Sequence, residues 1–149
     1  MALSRPNDKR RPHDERSQKT HATGRIEVKT YEPQHYEEVD EGPNLVEIHV
    51  SESFHGDIEG EGVVRFLQAE RKDGSASFVG IERVTGAIEG RRGSFLLQDA
   101  GTLEGDTVSG DWFVIPGSAT GELTGLRGEG GFQAELGQHA AITLDYWFE

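Results

Sequence analysis

Cysteine is absent from this chain of 149 residues, and that one absence removes disulfides, thiolate metal ligands and thiol nucleophiles together. Long apolar runs are missing as well. The longest strictly apolar stretch is Trp112–Ile115, far short of the ~20 residues that a membrane-spanning helix needs. Helix-length segments are equally scarce: with 20 Gly and 5 Pro, no stretch free of both exceeds twelve residues. Each interior Gly costs a helix about 1 kcal/mol and each Pro about 3, so a fold of long packed helices is not expected. Positive charge is the last shortage, with 15 Lys and Arg against 27 Asp and Glu, a formal net charge of −12. A field of that sign repels phosphate backbones and anionic headgroups, so neither nucleic acid nor a membrane surface is an expected partner.

The charge is unevenly spread. Residues 1–20 carry six Lys or Arg and three Asp or Glu, with one Leu, two Pro and no aromatic residue. That composition predicts a disordered basic N-terminal tail, leaving residues 21–149 as a single domain of ordinary size. No apolar segment of signal-peptide kind follows the basic start, and a cytoplasmic location is the expectation.

From Gly24 onward the chain turns to short runs rich in Val, Ile, Thr and Phe, punctuated by Gly. All seven Phe lie beyond residue 53, at 54, 66, 78, 95, 113, 132 and 148, a spacing that suits about one per strand of an antiparallel meander. Strands are predicted near Gly24–Tyr31, Asn44–His55, Ile58–Arg71, Ser75–Glu89, Gly93–Leu103, Thr107–Ile115, Gly121–Leu136 and His139–Glu149. Turn chemistry falls between them at Asp73-Gly74, Gly90-Arg91, Glu104-Gly105, Pro116-Gly117 and Gly137-Gln138. The acidic segment Glu32–Pro43 is predicted to be a loop or a single helical turn. Gly-Glu-Gly recurs at Gly60–Gly62 and Gly128–Gly130 inside predicted strands, where glycine marks a bend or a close backbone approach. The expected fold is all-β, a small closed antiparallel β-barrel of about eight strands, which leaves no exposed sheet edge.

Treating Asp73-Gly74 and the turns after it as two-residue hairpins assigns faces. One set holds Val63, Leu67, Phe78, Val84, Phe95, Leu97, Trp112, Val114, Leu123, Ile142, Leu144, Tyr146 and Phe148. The larger and more aromatic of the two, it is assigned to the interior. The other set holds Ile58, Val64, Phe66, Val79, Ile81, Leu96, Phe113, Ile115, Leu126, Phe132 and Trp147. It is too apolar for a wet surface, so a homo-oligomer covering the outside is expected.

The same counting places Glu82 opposite Arg65 and Glu129 opposite Tyr146, with Arg127 two residues along. Charges enclosed among aromatics must be paired, and such pairs hold shifted pKa values. Glu82 and Glu129 are therefore candidate acid/base groups, Arg127 and Tyr146 candidate partners of a developing oxyanion, and Phe78 and Trp112 the apolar walls of a ligand site. The structural alternative is an ion pair and a satisfied Tyr hydroxyl at the barrel end. The histidines offer no metal site: His49 and His55 share a strand face but stand roughly 20 Å apart, and Glu47 with His49 lacks a third ligand. No cofactor is expected. Gly117–Gly121 lacks the spacing and the surroundings of a nucleophile elbow.

Several blocks together carry a family resemblance: His21–Gly24, Gly56–Gly62 (GDIEGEG), Ser77–Arg83 (SFVGIER), Gly93–Gln98 (GSFLLQ), Pro116–Gly131 and Leu144–Phe148 (LDYWF). Over residues 21–149 the chain resembles the bacterial family known as domain of unknown function 3224. The resemblance implies a small antiparallel barrel similar to plant allene oxide cyclase, and no established activity. Two functions compete. The barrel binds a small apolar or amphipathic molecule and steers its cyclisation or isomerisation, or it is a side-chain-filled, non-catalytic oligomeric module.

Overall fold

The computed structural model describes residues 18–149. The expected N-terminal tail lies outside the described residues up to position 17, and Thr20 already begins the first strand. Eight strands follow: β1 (Thr20–Glu37), β2 (Asn44–Gly56), β3 (Ile58–Glu70), β4 (Ala76–Ile88), β5 (Arg91–Glu104), β6 (Thr107–Val114), β7 (Leu126–Glu135) and β8 (Ala140–Phe148). Each is antiparallel to the next, and β8 pairs with β1 to close the barrel in chain order. The only helical element among the described residues is one 3-10 turn, Gly121–Leu123. No helix there is long and apolar enough to cross a membrane.

Three expectations need correction. The segment from Glu32 continues β1 to Glu37 rather than forming a loop or helical turn. Pro33 is tolerated because β8 covers β1 only from Thr20 to Ile26, so the missing N–H at Pro33 faces an open edge. The β3–β4 connection is not a two-residue turn. The Arg71 and Gly74 amides bond to Ser75 and Arg71 oxygens respectively, enclosing Lys72, Asp73 and Gly74 with Gly74 at φ +90°. This is the three-residue hairpin with its glycine in the left-handed region. The odd residue shifts the register, so Glu82 lies opposite Val64, and Arg65 lies opposite Ile81.

The third correction is at Pro116-Gly117, which does form a tight turn, with the Ser118 amide donating to the Ile115 oxygen. It is not a hairpin, however. The chain runs on beside the start of β5, where Thr120 and Ser118 satisfy Ser94 and Leu96, and β7 begins only at Leu126. Faces on β3 and β7 are therefore the reverse of those expected. Val63 and Leu67 point outward, while Val64, Leu126 and Phe132 point inward. On β4, β5, β6 and β8 the assigned faces hold. The turns Glu89-Gly90 and Gly105-Asp106 each sit one residue from the expected pair, which leaves side-chain parity unchanged.

Side chains divide the interior into two apolar clusters. One, built on Phe54, Ile58, Val84, Ile88, Phe95, Leu97, Ile142 and Leu144, fills the end where Gly56 and Ile88 finish their strands. The other, Val46, Ile48, Val50 and Val64 with Phe66 against it, lies beneath the β2–β3 hairpin pair toward the opposite end. Each fully buried side chain of this size contributes about 1.5–3 kcal/mol by leaving water.

Candidate active site

Between the two apolar clusters lies a layer of acid. Glu52 follows Val50 and precedes Phe54 along the inward row of β2. Glu82 occupies the inward row of β4 between Phe78 and Val84, and Asp99 that of β5 after Leu97. Their exposures are 7, 1 and 2 %, so all three carboxyls are inside the barrel. Room is made by Gly62, which stands directly opposite Glu52 and Val84. A Cβ there would overlap Glu82 Oε2 and come within 2.8 Å of the Phe54 ring.

Burial raises all three pKa values. Glu82 is pushed well above its ordinary value, first by burial, then by its hydrogen bond with Glu52 and the charges of Glu52 and Asp99. Asp99 is pushed up to about 8 by burial and by the charge of Glu52. Glu52 is raised by burial but held back by the bond from Glu82. The layer therefore contains carboxylic acids beside a carboxylate, an O–H donor next to an acceptor. Among the described residues Glu82 Oε2 and Asp99 Oδ1 have no hydrogen-bond partner. A buried polar atom left so costs about 1–3 kcal/mol, and in a native protein it calls for a missing partner.

An arc of aromatic rings spans this layer. Phe66 meets Phe78 edge-on at 5.1 Å, Phe78 stacks on Phe132 at 6.2 Å, Phe132 meets Trp112 at 5.2 Å, and Trp112 reaches Phe54 at 6.3 Å. Three of the rings lie over glycines of neighbouring strands. A Cβ on Gly80, Gly101 or Gly110 would collide with Phe66, Phe78 or Phe132. Trp112 is anchored by its indole N–H, which reaches past Gly130 of β7 and donates to the Thr143 carbonyl of β8 at 3.0 Å.

The six residues singled out from the sequence separate into three groups. Phe78, Glu82 and Trp112 are brought together inside the barrel. Tyr146 is inside too, but at the far end, where its hydroxyl donates to the Glu89 carboxylate in the β4–β5 turn. Glu89 lies seven residues along β4 from Glu82, roughly 20 Å of strand. Burial and the Glu89 charge hold Tyr146 at about 12, so it is a donor fixed in its protonated form. Arg127 and Glu129 are on the outer face, a correction that follows from the long β6–β7 connection. Glu129 lies opposite Asp145 rather than Tyr146, and Arg127 pairs with Glu149 at 2.6 Å. Among the described residues no group of three His, Asp or Glu side chains is placed to hold a metal ion.

Glu52 and Asp99 are not among the residues expected from hairpin counting, yet the sequence carries a signal for both. Each is an acidic residue in the apolar phase of its strand, Glu52 within Val46, Ile48, Val50 and Phe54, and Asp99 after Phe95 and Leu97. The Tyr146–Glu89 bond supports a modest prediction. Tyr146→Phe should lower stability by about 1.5–3 kcal/mol, the worth of a hydrogen bond to a charged group, read as a lower urea midpoint with an unchanged slope.

The fold and site define a class: a closed eight-stranded antiparallel barrel with a carboxyl layer inside an aromatic lining. The family model for proteins of unknown function DUF3224 matches residues 22–146, and the chain belongs to that family. A DUF3224-family protein of unknown function from Shewanella oneidensis MR-1, solved at 1.84 Å resolution, is 34% identical to it, with a TM-score of 0.76. The likeness covers 89% of this chain and 99% of that one. No curated protein matches the chain.

Proposed function

We propose that the barrel interior binds a small, largely apolar molecule bearing one carbonyl or similar oxygen, and moves a proton on it. The observation that carries this reading is the layer of three buried carboxyls that, among the described residues, has no cation paired with it and two oxygens without a partner. A ligand oxygen supplies the missing acceptor for a neutral carboxyl, as in sites where apolar surroundings keep an acid protonated at neutral pH. Asp99 donates a hydrogen bond to the carbonyl oxygen and stabilises negative charge developing there. Glu52, the acceptor of the layer, removes a proton from the adjacent carbon and returns it to another, so a double bond shifts with no net gain or loss of atoms. Phe78, Phe132 and Trp112 form the apolar wall. The same acid and wall would favour ring closure of a flexible ligand.

The test uses Trp112 as reporter in a Trp147→Phe background, because the chain has two Trp. Titration with alkyl-substituted β,γ-unsaturated cyclohexenones should quench Trp112 and produce the conjugated isomer by ultraviolet absorbance. Glu52→Gln should abolish turnover and keep quenching, whereas Asp99→Asn should lose about tenfold or more in each. Absence of both signals with the native carboxyls would favour the second reading, a filled scaffold. The depth at which Phe54, Phe95 and Trp112 are buried speaks for that alternative.

A further inference from the structure

The outer face of β3, β4 and β5 is not built for water. Val63, Leu67, Val79 and Ile81 point outward with exposures of 63, 51, 53 and 52 %. Together with Leu96 they line a shallow groove of about 870 Å³. These side chains lie on neighbouring strands, Leu67 opposite Val79 and Leu96 opposite Arg83, so they form one continuous apolar strip rather than scattered exposed residues. A strip of that kind marks an interaction surface.

Charge identifies the occupant. The chain carries a net charge of −12, so two copies repel over most orientations. The groove is an exception, because it is lined by two arginines, Arg65 and Arg83, and two glutamates, Glu47 and Glu61. Arg65 leans on Glu47 at 3.9 Å, and Glu61 takes Lys29 at 2.9 Å. Arg83 has no partner among the described residues and stands between apolar cross-strand neighbours, Val63 and Leu96. A surface with an apolar centre and both signs of charge is complementary to itself under a two-fold axis, the commonest symmetry of soluble oligomers. We propose that two copies of this chain dock through their β3–β5 faces, with the aliphatic strips packed together and each Arg83 set against the acidic rim of the other copy. The packing is that of two sheets face to face, with outward side chains interdigitating as they do inside a β-sandwich. This interface is independent of the carboxyl layer, whose side chains point into the barrel from β2, β4 and β5.

Sedimentation equilibrium of the full chain at tens of micromolar should give twice the 16.4 kDa protomer mass. Ile81→Asp should yield a folded monomer, and Arg83→Glu should raise the dissociation constant about tenfold or more. Phe113→Asp, at an exposed apolar residue on β6, should leave the dimer unchanged. Retention of the native far-ultraviolet spectrum by each variant separates lost association from lost folding. A wild-type species of 16.4 kDa, or an Ile81→Asp variant that dimerises like the wild type, overturns the proposal. So does an Arg83-dependent affinity of a wild-type monomer for 8-anilinonaphthalene-1-sulfonate, which would make the groove a site for apolar anions instead.

Discussion

Thermal stability should fall as the solution is taken from about pH 5 to about pH 8, the reverse of the behaviour of a protein held by ionised carboxylates. Asp99 titrates at about 8 in the barrel and near 3.9 in an unfolded chain. Between those values the folded state holds a proton that the unfolded state has released. The stabilisation is therefore complete below the unfolded pKa and is lost as pH rises through the folded one. One proton over three pH units corresponds to about 4 kcal/mol, or roughly 10–15 °C in melting temperature for a domain of this size. Glu82 and Glu52 are raised as well and act with the same sign. Asp99→Asn keeps the shape and removes this titration. It should flatten the profile and melt above the wild type at about pH 8. A wild-type maximum near pH 8 would mean that the carboxyls are ionised in the fold, and it would remove the acid on which the proposed chemistry depends.

The second large effect is expected at Gly86. Gly86 lies directly opposite Gly60 on the adjacent strand, and the two backbones approach where no side chain fits between them. A Cβ on Gly86 would fall on the Glu59 carbonyl oxygen and within 2.6 Å of the Gly60 Cα. Both are backbone atoms, so no rotamer change relieves the clash, and the β3–β4 pairing must open. Gly86→Ala should cost about 3 kcal/mol or more. Gly137→Ala serves as comparison, since its Cβ meets nothing within 4 Å and only its φ of +81° opposes the change. Urea unfolding of the two variants separates close approach from turn strain. Equal midpoints would show that the Gly60–Gly86 approach is not what limits this position.

Legibility varied with the range of the interaction concerned. Strand number, strand type and closure followed from alternation, turn residues and the shortage of helix-length segments, all of which act within a few residues. Glu82, Phe78 and Trp112 share the inward face that alternation gives them, because β4, β5 and β6 are joined by turns whose length leaves side-chain parity intact. Arg127 and Glu129 were misplaced because the β6–β7 connection depends on distant partners, Ser94 and Leu96, which hold Thr120 and Ser118 beside β5. The inward face of β8 was nonetheless assigned correctly, since the β7–β8 turn also differs by one residue and restores the parity.

By itself the sequence determined a cysteine-free, acidic, all-β chain whose glycines allow a sheet to curl shut, because composition and local periodicity act along the backbone without reference to the rest of the fold. Which face each strand turns inward was decided by the tertiary structure, since one residue more in a loop reverses every side chain beyond it. The meeting of Glu52, Glu82 and Asp99 was decided there too. They come from three strands and are separated by 30 and 17 positions along the chain. Only closure of the barrel takes all three from water at once, and that shared loss of solvent raises their pKa values and makes acids of them.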